Sequence, residues 1–252
     1  MDNGEMYHQH SDLQFQGGCS LMHEMLKPKR GEFILDLGCG TGRLTMQLAS
    51  LVGDSGRVVG VDPDPCRIAI AKEQLTIDVP VAFELGSIHE ALSFGPFDGI
   101  FSNYVFHWFR RTERPGILND IYNSLKPGGR LAYLLIPTQN HPNFLERDIF
   151  SRAMPDRDLE RAMGVTFDSI ETWLDICTGV GFIVDSYKIT EVREKRASMQ
   201  AQLQFFEAVV KSFRADMLNE KDIEELKALY GTGNGDETIH EITVMECLAT
   251  KT

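Results

Sequence analysis

From residue 33 onward, short apolar runs alternate with stretches whose apolar positions recur at helical spacing, the pattern of βαβ units around a parallel sheet. Strands are predicted at 33–37 (FILDL), 57–62 (RVVGVD), 81–85 (VAFEL), 97–102 (FDGIFS) and 130–136 (RLAYLLI). Helices fit between them at about 43–52, 64–75 and 114–125. Pro127 cannot extend the last of these, and Gly128-Gly129 turn the chain toward the next strand.

Beyond this alternation, 138–165 is polar, proline-punctuated and helix-prone, and TFDSIETWLDICTGVGF reads as a helix that starts on Thr or Asp and ends in glycines. FIVDSYKI and IHEITVMECLA read as strands separated by a long helical stretch around 197–229 and a GTGNG turn. An independent second domain would leave this late strand pair with no sheet to join. The pattern therefore predicts one α/β domain over 31–252, a Rossmann-like doubly wound sheet that is mostly parallel with an antiparallel last strand. Helical insertions fall at about 139–165 and 193–232, and residues 1–30 form a helical N-terminal segment.

Composition narrows the function classes. At 252 residues and 42% hydrophobic content, the chain can bury a full core. A formal charge of −12 works against a surface that tracks phosphates. The short basic stretches LKPKR and VREKR read as solvated surface, so no nucleic acid is expected. The five cysteines are scattered and form no CxxC pair, which suits reduced thiols and no metal. MDNGEMYHQHSD lacks an apolar core for a signal peptide, and LAYLLIP is too short to cross a bilayer. The expectation is a cytoplasmic protein with no membrane partner.

Candidate chemistry begins at ILDLGCGTGRL, where Gly38, Gly40 and Gly42 follow a strand and open a helix, allowing tight backbone angles and close approach of a ligand. The spacing is G-x-G-x-G, unlike the G-x-G-x-x-G of a dinucleotide site, and the Lys-Ser/Thr of a phosphate loop is missing. In VVGVDPDP, Asp62 stands at the carboxyl end of the second strand, where an acid can accept both hydroxyls of a ribose. Asp before Pro is also a good helix cap, a role that Asp64 can fill and so leave Asp62 free.

LDLGCGTGRLT, VVGVDPDP, FDGIFSNYVFHWF and LKPGGRLAYL, in that order over roughly 31–136, resemble the class I S-adenosylmethionine-dependent methyltransferases. The resemblance implies that the backbone of Gly38, Cys39, Gly40, Thr41 and Gly42 faces the methionine part of S-adenosylmethionine, and that the product is S-adenosylhomocysteine. It also implies that Asp36 holds the ammonium and Asp62, followed by Pro63, the ribose. Gly86, Ser87 and Ile88 would flank the adenine, with Ser87 standing where many relatives carry Asp. Asn103 would border the methyl group and its acceptor.

FSNYVFHWF follows the fourth strand, and ligands in this fold lie outside the carboxyl ends of the strands. Aromatic faces attract a sulfonium cation and exclude water. For Phe106 and Phe109, three-residue spacing equally fits the buried face of a short helix. The His107-Trp108 pair resembles the small-molecule carboxyl methyltransferases acting on trans-aconitate, malonyl-carrier protein and juvenile hormone acid. MYHQHSDLQ is similar to the last group, which implies Tyr7 near the cofactor and a carboxylate clamp of Gln14 and the Trp108 indole N–H.

Such donors orient a carboxylate without protonating it. An acid of pKa about 4 to 5 is already ionised, so in-line transfer needs positioning rather than a general base. His107 then shapes the pocket. With a phenol, amine or carbon acceptor it would instead be the natural base.

The insertions are expected to cap the acceptor site. In MQAQLQFFEAVVKSF, Leu203, Phe206, Val209, Val210 and Phe213 share one helical face and should pack inward, leaving Gln204 and Phe205 as candidates for the pocket wall. Such a cap favours a small apolar or aromatic acid as acceptor, in a monomer or homodimer. The alternatives are methylation of O, N, S or C on another small metabolite, and a cofactor-binding protein without transfer.

Overall fold

In a computed structural model, the described residues are 12–75, 79–138, 143–153, 166–209, 213–233 and 235–252, without the side chains of 143–147 and 208–209. A seven-stranded sheet organises them. In chain order its strands are β1 (Phe33–Leu37), β2 (Arg57–Asp62), β3 (Val81–Leu85), β4 (Phe97–Asn103), β5 (Leu125–Leu135), β6 (Phe182–Arg196) and β7 (Thr238–Lys251), laid side by side as β3-β2-β1-β4-β5-β7-β6. All neighbouring pairs are parallel except β7, which runs antiparallel to both β5 and β6.

The helices are α1 (Asp12–Ser20), which continues as a π-helical turn Leu21–Leu26, then α2 (Arg43–Val52), α3 (Pro65–Glu73), α4 (Ile88–Leu92), α5 (Arg114–Ser124), α6 (Asn143–Ala153), α7 (Ile170–Gly179), α8 (Met199–Val209) and α9 (Glu220–Tyr230). Alternate residues of each inner strand feed two cores. Leu35, Val59, Ile100 and Leu131 pack with Ile117, Ile121 and Trp173 on one face, and Ile34, Val58, Phe101 and Ala132 pack with Leu13, Met22 and Leu48 on the other. Burial on both faces is why these strands read as continuous apolar runs.

Three elements differ from expectation. β5 begins at Leu125 and takes in the Pro127-Gly128-Gly129 turn, because Leu125 pairs with Phe97 across an irregularity in the β4 register. β6 extends to Arg196, into the start of the expected insertion, because its cross-strand pairing with β7 continues to Thr238. The short helix α4 was too brief to show a helical period in the sequence.

β5 pairs with β7 only from Arg130 to Leu135, opposite Thr250 to Met245. β6 and β7 stay paired beyond that point, from Val244 to Thr238, so a two-stranded ribbon overhangs the carboxyl edge of the sheet by roughly 20 Å. Against this ribbon lies a separate aromatic cluster in which Phe150 of α6, Phe206 of α8, Phe213 and Tyr230 of α9 are buried together. Phe206 and Phe213 thus pack inward as expected, Leu203 is partly buried, and Val209 and Val210 carry no described side chains. Gln204 is exposed, while Phe205 is buried beneath the Arg196 guanidinium, 3.9 Å from its ring centre. Most of 139–165 lies outside the described residues.

Candidate active site

The glycine loop leaves β1 in left-handed backbone at Gly38 (φ 76°) and Gly42 (φ 83°), where side chains are disfavoured. A Cβ on Gly38 would stand 2.2 Å from Val105, and one on Gly42 would stand 2.5 Å from Phe83. Close packing therefore demands glycine at both places. The loop is tied to β2, because the N–H groups of Gly38 and Cys39 donate to the Val61 carbonyl at 2.8 and 3.1 Å, and that of Gly40 donates to Asp62 Oδ2 at 2.9 Å.

Asp62 Oδ1 accepts the Asp64 N–H at 2.9 Å. Asp64 caps α3, accepting from Cys66 and Arg67 N–H at 2.9 and 3.3 Å. The two neighbouring acids have separate duties. A carboxylate offers about four acceptor positions, so Asp62 retains capacity after its two backbone bonds. Burial raises its pKa.

Asp36, the last inward acid of β1, is buried and accepts the Thr45 hydroxyl at 2.6 Å. Burial pushes its carboxyl up to about 7 against the lowering effect of that bond, and nearby Asp62 adds to the rise. It borders a cleft shared with Gln14, Gly38, Cys39, Thr41, Asn103 and Arg43.

Gln14 reaches this cleft from α1. The helix lies close against its neighbours at Gly17 and Gly18, where added Cβ atoms would stand 3.1 Å from Leu134 and 2.3 Å from Leu44. Asn103 Nδ2 donates to the Gln14 carbonyl at 2.8 Å, which pins α1 to the end of β4. Gln14 Oε1 and Asn103 Oδ1 are buried without a hydrogen-bond partner among the described residues. An uncompensated buried acceptor is costly, so these two atoms mark a place for a polar ligand.

After β4 the chain turns at Tyr104, whose φ of 58° is rare for a bulky residue. A short 3₁₀ turn, Phe106–Trp108, follows. Phe106 enters the core against Tyr133 and Trp173, and Phe109 is half-buried beside it. His107 is buried between Tyr104, Trp108 and Phe167, and its carbonyl accepts the Thr166 N–H at 2.7 Å. That contact is braced by Arg114, which binds the Thr166 carbonyl and Asp168.

Burial, with the Arg114 charge nearby, pushes His107 down to about 3. Trp108 is 39% exposed. Neither His107 nor Trp108 lines the cleft that holds Gln14, whereas Asp36, Gly38, Cys39, Thr41 and Asn103 do.

At the end of β3, the Gly86 N–H donates to the Asp62 carbonyl at 3.2 Å. Ser87 is exposed and caps α4, Ile88 packs against the core, and Pro63 is exposed. Tyr7 lies outside the described residues. The sequence had not singled out Phe15, Arg43, Leu44 or Thr45. Arg43 stands 4.1 Å over the Phe15 ring and pairs with Asp12, contacts between α1 and α2 that no local spacing reveals.

The comparisons with known proteins agree with this geometry. Residues 34–129 match the family model of a methyltransferase domain. The chain is 36% identical over 126 residues to an arsenite methyltransferase of Aquipseudomonas alcaligenes and 34% identical over 140 residues to a trans-aconitate 2-methyltransferase of Deinococcus radiodurans. These matches cover 46% and 55% of this chain and span only 35% and 51% of those relatives. It is 31% identical over 201 residues to a malonyl-[acyl-carrier protein] O-methyltransferase of Bacillus cereus, covering 75% of this chain and 72% of the relative. Among solved structures, the YcgJ protein of Bacillus subtilis superposes with a TM-score of 0.66 at 17% identity, over 94% of this chain and 98% of that one. With a glycine loop bound to an acid at the end of β2 and a relative matched along most of its length, the chain belongs to the class I S-adenosylmethionine-dependent methyltransferases.

Proposed function

We propose that the protein transfers the methyl group of S-adenosylmethionine to a carboxylate oxygen of a small-molecule acid. The cofactor supplies an electrophilic methyl on a sulfonium, and the residues present suit it. Asp36 is a buried acid for the ammonium, the glycine loop offers close-packed backbone, and Asp62 keeps acceptor capacity for the ribose hydroxyls. The unsatisfied acceptors Gln14 Oε1 and Asn103 Oδ1 suit a donor such as the cofactor's ammonium, and the NH2 of Gln14 is the group that would donate to a carboxylate.

The observation that carries the carboxylate reading is the character of the cleft wall. Among the described residues, Gln14, Phe15, Asp36, Gly38, Cys39, Thr41, Arg43, Leu44 and Asn103 form it, and none of these is a histidine, lysine or tyrosine. His107 sits behind the wall with little affinity for a proton. A general base works best with a pKa near the operating pH, and the one wall residue shifted that way, Asp36, is taken in this reading by the cofactor's ammonium, so an acceptor that arrives already ionised fits the site better than one that must be deprotonated. The named relatives acting on trans-aconitate and on malonyl-carrier protein support the same class.

In this reading α1, together with α6, α8 and α9, covers the acceptor and keeps water out. Trp108, partly exposed at the same strand end, closes on the carboxylate opposite Gln14. The test is transfer from methyl-labelled cofactor to a panel of small carboxylic acids, with alkaline release of the label. Alkali-labile product that falls at least about tenfold in Trp108→Phe and Gln14→Ala supports the clamp. Alkali-stable product would move the acceptor to another oxygen, nitrogen, sulfur or carbon.

A further inference from the structure

The adenine end of the site raises a separate question, because the residue expected to meet the base is already engaged. Asp62 closes β2, and β3 is the next strand outward from β1 and β2. A ligand that passes from the glycine loop to Asp62 along the carboxyl edge therefore brings its base to the end of β3. There the chain presents Leu85, 55% exposed, then Gly86 and Ser87. The 6-amino group of adenine is a donor and requires an acceptor.

Ser87 is a weak choice for that acceptor, because its oxygen is neutral while the group it is hydrogen-bonded to is a carboxylate. Its hydroxyl and its N–H both donate to Glu90 Oε2, each at 2.5 Å, in a capping box at the start of α4. The arrangement draws the Glu90 carboxylate back over the strand end, with Oε2 3.4 Å from where a Cβ on Gly86 would stand. Val61 flanks the same point at 3.5 Å. A side chain at Gly86 would press on Glu90, whose Cβ is 3.2 Å from that point, so glycine lets Glu90 lie close to the strand end beside the Asp62 carbonyl that accepts the Gly86 N–H.

Resting on the nucleoside reading of the site, we propose that Glu90 is the residue that selects adenine: Oε2 is held by Ser87 and Oε1 accepts the 6-amino group, while Leu85 packs on the ring. An acid three residues into the helix replaces the acid absent at position 87. The two Ser87 donors hold the Glu90 carboxyl below its usual range, so the acceptor is charged at neutral pH.

The capping box itself supplies the test. Glutamine also serves at this position of a capping box, accepting the Ser87 N–H through its oxygen. In Glu90→Gln the outward group becomes an NH2 donor, which repels a 6-amino group and suits the 6-keto group of hypoxanthine. Binding of S-adenosylhomocysteine and of S-inosylhomocysteine would be measured by calorimetry for the wild type, Glu90→Gln and Ser87→Ala.

The wild type is expected to favour the adenine ligand by about tenfold or more, and Glu90→Gln to abolish or reverse that ratio. An unchanged ratio in Glu90→Gln, with both ligands weakened equally, would reduce Glu90 to a helix cap and overturn the proposal. Ser87→Ala is expected to lower the ratio less than Glu90→Gln does; a larger loss in Ser87→Ala would assign the contact to Ser87 instead. Failure of the wild type to bind either ligand would sink the nucleoside reading beneath it.

Discussion

Asp36 and His107 stand near the same strand ends, and burial disfavours the charged form of both, moving their pKa values in opposite directions, up to about 7 and down to about 3. For Asp36 the folded value lies above the unfolded one, so its burden is absent in acid and grows as pH rises from about 4 through 7. For His107 the folded value lies below, so its share of stability is present above about 6.5 and is lost as pH falls toward 3. Without cofactor, Asp36→Asn is expected to gain stability relative to wild type between pH 5 and 8, as read by urea denaturation. A bound ammonium favours the carboxylate form, so cofactor affinity should rise by about tenfold from pH 6 to 8 and flatten in Asp36→Asn, as read by calorimetry. A flat wild-type profile would remove Asp36 from the ammonium site.

At the scale of elements, the βα turns carry the site, and their residues separate by duty. Asp64→Ala loses the cap of α3 and the Asp64–Arg67 ion pair, an expected cost of about 1 kcal/mol in stability, with cofactor affinity close to wild type. Asp62→Ala should lower that affinity much more than it lowers stability relative to Asp64→Ala. Equal effects of the two would make Asp62 a loop anchor alone. Gly42→Ala combines a positive φ with a 2.5 Å approach to the buried Phe83, so a loss of about 1–3 kcal/mol is expected on denaturation.

These turns were legible in the sequence because glycine, proline and aspartate punctuate continuous apolar strands. Other features of the site were not. The bond from Asn103 to the Gln14 carbonyl joins residues 89 positions apart, and the capture of Ser87 by Glu90 depends on a five-residue helix too short to show a period. The aromatic segment at 101–109 was ambiguous for a related reason: ring spacing marks one face, while the tertiary contacts of Phe106 with Tyr133 and Trp173 decide that its face is core.

Across the described residues, apolar packing is divided among the two faces of the sheet, a small cluster of Cys39, Ile68, Ala71 and Phe83 beside the glycine loop, and the cluster that joins α6, α8 and α9. Phe206 meets Phe150, Phe213, Tyr230 and His240, so Phe206→Ala should cost about 3–5 kcal/mol locally. Hydrogen exchange is expected to quicken in α8 and α9 while β1, β2 and β4 stay protected. Uniform loss of protection would show that the cluster and the sheet unfold as one unit.

The overhanging β6–β7 ribbon gives this division a historical meaning. In the proposed arrangement the parts that grip the cofactor hang from β1, β2 and β4, whereas two of the helices set over the acceptor, α8 and α9, are strung on the connection between β6 and β7 at the opposite border of the sheet. Lengthening, shortening or rewriting that connection leaves the register of β1 with β2 untouched. A lineage built this way can change its clientele many times while inheriting the same methyl donor and the same grip on it.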